Sequence, residues 1–125
     1  MNEIERLFRP GVLELKPYTS ARDDFSGEAL VFLDANENSF GSAFGPSYSR
    51  YHDTHHRLLK QKLSEMKGVS PESVFVGNGS DEAIDLLIRA FCAPGRDSII
   101  ITPPTYGIYA VSAGINGVAC KSAPL

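Results

Sequence analysis

The chain has 125 residues, of which 42% are hydrophobic, and a formal net charge of −3. This length and apolar content suit a globular domain with a core of its own. Charges of both signs are interspersed, and no basic stripe marks a nucleic-acid binder. No apolar run approaches the ~20 residues that cross a bilayer, so we expect no contact with a membrane.

The N-terminal residues and the two cysteines indicate the cellular compartment. Residues 1–10 are charged and lack an apolar centre, which argues against a signal peptide. Cys92 and Cys120 do not form a C-x-x-C pair. Two isolated thiols in apolar surroundings predict a reducing compartment, and we therefore expect a cytoplasmic location.

Residues 1–30 are interpreted as a polar, irregular N-terminal arm. Glu3 to Phe8 is predicted to form one or two helical turns that Pro10-Gly11 ends, and Leu13 to Tyr18 is predicted to be extended. An arm of this kind either packs on its own domain or reaches a partner.

The next segments predict a strand, a turn and a loop. Glu28–Asp34 contains consecutive apolar residues and is predicted to be a strand. Asp34–Ser39 is rich in Asx residues, which hydrogen-bond their own backbone in turns. Phe40–Tyr48 has no usable period, and a long loop of this kind is often functional.

A histidine-rich segment precedes a helix. Four possible metal ligands fall within five residues, but their spacing matches no zinc pattern: His52, Asp53, His55 and His56. We interpret the segment as a helix start with Asp53 or Thr54 as the cap, and assign no metal site. Arg57–Lys67 has the period of an amphipathic helix, and Gly68 is predicted to end it.

The stretch Val74–Ile84 organises the chain. Three β-formers run into Gly77-Asn78-Gly79, and an apolar pattern of helical period follows. With Ser80 as the predicted N-cap, the first helical N–H groups lack acceptors, and such an end binds anions, phosphate above all. The alternative is an ordinary capped turn, with acidic residues placed to suit the helix dipole.

The remaining elements continue a β-α-β-α-β order. Ala83–Phe91 predicts a helix, Ser98–Thr102 a strand buried on both faces, Tyr106–Gly114 a helix and Val118–Cys120 another strand. This order predicts a parallel sheet, in which ligands bind beyond the carboxyl ends of the strands. The glycine turn and the turn Thr102–Tyr106 both lie at that edge. Together they suggest a flat, aromatic, phosphorylated ligand.

Four motifs in the right order carry a family resemblance. They are Leu33-Asp34-Ala35-Asn36-Glu37-Asn38, Arg50-Tyr51, Gly77-Asn78-Gly79-Ser80-Asp81-Glu82 and Pro104-Thr105-Tyr106-Gly107-Ile108-Tyr109. From about Tyr18 onward the chain resembles the N-terminal part of the histidinol-phosphate aminotransferase family, pyridoxal-phosphate enzymes of fold type I. The resemblance implies an α/β fold, namely part of the three-layer sheet of the large domain over residues 31–125, preceded by the arm.

The resemblance also implies residue roles. Gly79, Ser80 and Asp81 match the turn that holds the phosphate of pyridoxal 5'-phosphate, and Tyr106 matches the residue that stacks on its ring. Tyr51 matches a tyrosine that reaches the cofactor phosphate of the neighbouring subunit of a homodimer. Tyr18 and Asn36 match positions near the phosphorylated small-molecule substrate, Tyr18 again from across the dimer.

The chain departs from the family pattern in its loop and in its length. Ser39 stands where the family usually has proline, and His52-Asp53-Thr54 stands where it has Pro-Asp-Pro, which predicts a looser loop around Tyr51. The family's Schiff-base lysine matches no residue up to Leu125, and Lys121 is not its equivalent. We therefore expect a fragment that transfers no amino group from histidinol phosphate to 2-oxoglutarate by itself.

Two other classes compete with this interpretation. One is a non-catalytic α/β module that binds a phosphorylated ligand or a protein partner. The other is a dehydrogenase-like nucleotide domain, which is disfavoured because no G-x-G-x-x-G follows the first predicted strand.

Overall fold

The computed structural model describes residues 3–25, 27 and 29–125. Its longer elements are α1 (Pro10–Leu13), α2 (Arg57–Lys67), α3 (Gly79–Phe91), β1 (Ser98–Ile101), α4 (Ile108–Ile115) and β2 (Ala119–Ser122). Short 3₁₀ turns span Glu5–Leu7, Pro46–Ser49 and Pro71–Ser73. The first residues of the predicted arm and Glu28, the predicted start of a strand, lie outside the described residues.

Two compact units make up the chain, and each is described by itself. The sheet unit joins the segment up to Lys16 with Phe75–Leu125, and the loop unit is Pro17–Val74. The predicted division into an arm of residues 1–30 and a domain of residues 31–125 stays a prediction.

Parallel pairing of β1 with β2 defines the sheet unit. Ser98 lies opposite Ala119 and Ile101 opposite Ser122, with α4 as the crossover between the strands. The core consists of Ile88 from α3, Ala113 from α4 and Val118 just before β2, with Ile84, Cys92 and Ile99 packed against it. The predicted α/β fold with a parallel sheet is confirmed.

Two predicted strands are wrong. Val74–Val76 is extended but belongs to no sheet in the described part of the chain, and neither does the described portion of Glu28–Asp34. An apolar run becomes a strand only when a neighbour accepts and donates its ladder hydrogen bonds. Strand propensity alone does not supply that neighbour.

The burial of β1 also differs from the prediction. Its pattern predicts cover on both faces, but the Ile100 side chain is 71% exposed while its neighbours in the strand are half-buried. The helices α3 and α4 contribute the buried core on one side, and no described residue of the sheet unit covers Ile100 on the other.

The N-terminal segment packs against α3. Pro10 begins α1 instead of ending a helix, because proline at the first helical position loses no hydrogen bond. The Arg9 backbone N–H donates to the carbonyl of Ala90 at 2.9 Å, and the Phe8 ring lies 4.4 Å from that of Phe91. The segment thus satisfies carbonyl groups at the end of α3 that have no helical donor.

The loop unit contains one long helix with the predicted bounds. Gly68 ends α2 with φ of +66°, as predicted, because glycine takes the left-handed conformation without steric cost. The N-cap is His56, not Asp53 or Thr54. Asp53 nevertheless accepts the Arg57 backbone N–H at 2.8 Å from three residues before the cap. Within the described residues, no helix has the length and apolarity needed to traverse a bilayer.

Truncating Ile88 tests the small core. Ile88 is 6% exposed, and Ile88→Ala is expected to lower the free energy of unfolding by about 2–4 kcal/mol through lost burial and a cavity. Leu87→Ala removes a side chain of the same size on the same helix, but Leu87 is 57% exposed, so it should cost far less. Urea unfolding followed by circular dichroism measures both. If both substitutions lower the free energy of unfolding equally, Ile88 is not part of a specific core.

Candidate functional site

The glycine turn leads directly into α3. Gly79 is the first helical residue with φ of +77°, and Asn78 occupies the N-cap position, so the prediction of Ser80 as the cap is wrong. Gly79 and Ser80 are exposed, and a Cβ placed on Gly79 would have no atom within 4 Å. The start of α3 is therefore open on the side of Gly79.

An acidic side chain closes the other side of this turn. The Glu82 carboxylate accepts the Asn78 backbone N–H at 2.5 Å and the Asn78 side-chain amide at 3.2 Å. A Cβ on Gly77 would lie 2.6 Å from the Phe75 ring and 2.7 Å from the Glu82 carboxylate. Glycine at position 77 thus lets the Phe75 ring and Glu82 approach the backbone.

The turn after β1 meets the start of α3 through one contact. The Tyr106 hydroxyl donates to the Asp81 carboxylate at 3.3 Å, and this hydrogen bond, together with the negative charge of Asp81, raises the pKa of the Tyr106 phenol. The ring is 57% exposed and meets Tyr109 edge to face at 6.2 Å. Two of the candidate cofactor residues therefore lie side by side, with aromatic surface available to a ligand.

The loop unit holds a separate cleft of about 780 Å³. Tyr18 and Tyr51 both line it, together with Arg22, Asp34 and Arg57. Asn36 is exposed and follows Ala35, which also lines the cleft, but Asn36 itself is not part of the lining. The structure thus brings together the two tyrosines and leaves Asn36 beside them.

A buried carboxylate next to this cleft was given no role by the sequence analysis. The Glu37 side chain is only 4% exposed and lies between the guanidinium groups of Arg22 and Arg50. Their hydrogen bonds lower the pKa of Glu37 to about 2. Its partners are 13 to 15 residues away in sequence, so no local pattern could reveal the cluster.

The histidine-rich segment is organised by ion pairs and ring stacking. The rings of His52 and His56 stack at 5.3 Å, and Asp53 pairs with Arg57 at 2.9 Å. In the described part of the chain, no group of three or more His, Cys, Asp or Glu side chains is placed to hold a metal ion.

A parallel sheet with an exposed helix start and an adjacent tyrosine at its carboxyl edge is an arrangement with which α/β proteins bind anionic ligands. The family model for aminotransferases of class I and II matches residues 28–125, and the chain belongs to this family. Enzymes of this family depend on pyridoxal phosphate.

Individual relatives share one name. The chain is 55% identical over 122 residues to the histidinol-phosphate aminotransferase of Cytophaga hutchinsonii, covering 98% of this chain and 35% of that protein. It is 52% identical to the enzyme of the same name from Parabacteroides distasonis, and the match covers 100% of this chain and 35% of that protein. It is 38% identical to the one from Candida maltosa, and that match covers 100% of this chain and 36% of that protein. The chain therefore spans about 35% of the length of the curated relatives it matches.

Removing the Asp81 charge tests the contact with Tyr106. Asp81→Asn is expected to lower the pKa of the Tyr106 phenol toward its ordinary value near 10, because Asp81 is the largest cause of the rise. Absorbance titration at alkaline pH, with Tyr106→Phe subtracted, isolates this phenol. Asp85→Asn, one turn later on α3, is the control, since Asp85 bonds Asn116 and Arg89. An unchanged Tyr106 pKa in Asp81→Asn would contradict the contact.

Proposed function

We propose that this chain forms the cofactor-phosphate-binding part of a pyridoxal-phosphate-dependent aminotransferase that acts on histidinol phosphate. The contact of Tyr106 with Asp81 at 3.3 Å carries the proposal, because it joins an aromatic face to the start of α3. The names of the relatives supply the substrate. Since the chain spans about 35% of those relatives, the transfer reaction is proposed for the whole enzyme.

The residues present fit the cofactor. A phosphate group has open space beside Gly79. The Gly79 N–H donates to the Gly77 carbonyl at 3.0 Å, so the N–H groups after it, which lack helical acceptors and carry the positive end of the helix dipole, would bind the phosphate. The Ser80 hydroxyl adds a donor, and the exposed ring of Tyr106 offers a face for the pyridine. Asp81 and Glu82 add negative charge close by, so we expect binding by this chain alone to be weak.

The bound cofactor would supply an electron sink that stabilises a carbanion at the reacting carbon. The residues of this chain bind and orient it: the open turn at Gly79, the Ser80 side chain and the backbone N–H groups of Ser80 and Asp81 hold the phosphate, and Tyr106 fixes the tilt of the ring. The Tyr51 phenol is proposed to donate a hydrogen bond to the cofactor phosphate in the neighbouring subunit. Tyr18 and Asn36 are proposed to contact the phosphorylated substrate.

A non-catalytic binding module is the second candidate, and the comparisons do not favour it, since the relatives are named as aminotransferases at 50–55% identity in several bacteria.

The cytoplasmic location stays a prediction from the thiols. Both are free, with Cys92 half-buried and Cys120 exposed.

Binding of pyridoxamine phosphate tests the proposed cofactor site. This form of the cofactor carries an amine and cannot couple to lysine side chains, so calorimetry reports the pocket alone. We expect weak, saturable binding, and weaker binding of pyridoxamine, which lacks the phosphate. Tyr106→Ala should weaken binding about 2- to 10-fold, the range for one aromatic contact.

Conservative variants provide the controls for this measurement. Tyr106→Phe keeps the aromatic face and should retain most of the affinity, whereas Ser80→Ala removes a phosphate donor and should weaken binding of the phosphorylated form only. If pyridoxamine and its phosphate bind equally, or if neither saturates, the start of α3 has no role as a phosphate site.

We also propose that the chain forms a homodimer. The N-terminal segment packs against the end of α3, through Phe8 and Arg9, and leaves Ile100 71% exposed. The alternative is a monomer in which the arm folds over the open sheet face. Exposed apolar side chains on a sheet and the unpaired edges of its strands both favour association.

Sedimentation velocity tests the dimer. At high protein concentration we expect a species of twice the 13.6 kDa chain mass. Ile100→Lys places a charge on the exposed face of β1 and should shift the population toward monomer. Ile115→Lys, at an equally exposed position at the end of α4, is the control for the added charge. A monomer at all concentrations, for the unsubstituted chain, would refute association.

A further inference from the structure

The Glu37 carboxylate collects three hydrogen bonds from two segments of the loop unit, one around Arg22 and one at Arg50-Tyr51. Its Oε1 accepts Arg22 Nη1 at 2.8 Å and the Tyr51 backbone N–H at 2.7 Å. Its Oε2 accepts Arg50 Nη1 at 2.6 Å. Because the side chain is only 4% exposed, water does not replace these bonds easily.

A second carboxylate and an aromatic ring complete the cluster. Asp34 binds Arg22 in a two-pronged pair, through Nε at 2.9 Å and Nη2 at 2.8 Å. The Phe32 ring lies 5.2 Å from the Arg22 guanidinium and 5.9 Å from that of Arg50. Planar pairs and ring contacts fix a guanidinium in direction as well as in distance. Glu37 therefore faces two oriented cations, with Asp34 as the nearby anion.

This arrangement acts on Tyr51 through its backbone. The Tyr51 side chain is 61% exposed and borders the cleft that Tyr18 also lines, whereas Glu37 is not part of the lining. A hydrogen bond to the backbone N–H restricts the peptide from which the phenol extends. The segment Tyr51–His56 contains no proline, so this bond substitutes for stiffness that the chain itself does not provide.

We propose that Glu37 is a positioning residue, whose buried carboxylate fixes the backbone at Tyr51 and thereby holds the Tyr51 phenol for binding the cofactor phosphate. The inference rests on the proposed function for the role of Tyr51, but the anchoring of the backbone can be measured without any ligand.

Glu37→Gln is the informative substitution because it preserves the shape of the side chain. The glutamate accepts on both oxygens, whereas glutamine has one acceptor oxygen and one donor nitrogen. In either orientation of the amide, a donor from Arg22, Arg50 or Tyr51 then faces another donor. Glu65→Gln is the matched control, since Glu65 lies in the same unit and its exposed side chain pairs with Lys62.

Amide NMR of the ¹⁵N-labelled chain tests the backbone anchor. Glu37→Gln should move the Tyr51 amide resonance upfield, as expected on loss of a hydrogen bond to a carboxylate, and Glu65→Gln should leave it in place. In the unsubstituted chain the Tyr51 resonance should stay constant on acidification through about pH 4.3, the usual glutamate range, because Glu37 remains ionised there. An unmoved Tyr51 amide in Glu37→Gln would overturn the proposal.

A second variant keeps the test decisive if Glu37→Gln does not fold. Arg50→Gln retains Glu37 but removes one of its two cations, and Arg50 is 46% exposed, so its loss is better tolerated. The pKa of Glu37 should rise, because one of its two guanidinium hydrogen bonds is lost while that of Arg22 remains, so the Tyr51 amide should titrate at a higher pH than in the unsubstituted chain. If acidification moves the Tyr51 amide identically in both chains, Glu37 does not bind it.

A double-mutant cycle on pyridoxamine phosphate affinity tests the link to the phenol. Tyr51→Phe should weaken binding about tenfold, as expected for one hydrogen bond to a charged group. Glu37→Gln should weaken binding by a similar factor. The double variant should bind no more weakly than either single variant, because both substitutions remove the same contact between the Tyr51 phenol and the phosphate. Glu65→Gln should bind as the unsubstituted chain does.

The outcomes separate the two ideas. If Tyr51→Phe weakens binding while Glu37→Gln does not, or if their effects multiply, the positioning role of Glu37 is wrong although Tyr51 binds the ligand. If Tyr51→Phe has no effect, the role proposed for Tyr51 is wrong, and the purpose assigned to Glu37 is overturned with it. The Tyr51 amide then still decides whether Glu37 anchors the backbone.

Discussion

Parallel pairing of β1 with β2 is the constraint on which the sheet unit depends. Two parallel strands cannot be joined by a tight hairpin, so the chain must cross over between them, and α4 is that crossover. The crossover places Ala113 against Ile88 of α3 and Val118, which forms the small core. The same arrangement puts the turn after β1 beside the first residue of α3, and this is what brings Tyr106 to Asp81.

The sequence predicted the elements whose information is local. The bounds of α2 follow from its amphipathic period and from Gly68, and β1 follows from three consecutive isoleucines. The failed strands, Val74–Val76 and the described part of Glu28–Asp34, show the limit of this information. A strand is a property of two segments, and the presence of a neighbour cannot be inferred from the propensity of one.

The part of the candidate site that local motifs encode was also predictable from the sequence. Gly79, Asp81 and Tyr106 were selected from local motifs, and the structure places Tyr106 in contact with Asp81. The N-cap was predicted at Ser80, two residues after its position at Asn78, because Gly79 itself is the first helical residue and has a left-handed backbone. Glu37 was overlooked because its two arginines come from distant segments, and because burial of a glutamate cannot be anticipated from a polar turn sequence.

The two glycines of the turn before α3 are required for different reasons, and they therefore tolerate change differently. Position 79 is limited by handedness, and an asparagine, which enters the left-handed region more easily than other side chains, is the least unfavourable replacement. Position 77 is limited by contact, because a Cβ there meets the ends of the Phe75 and Glu82 side chains, which would have to move away. A side chain at 77 thus requires two neighbouring side chains to shift, whereas any side chain at 79 requires a strained backbone.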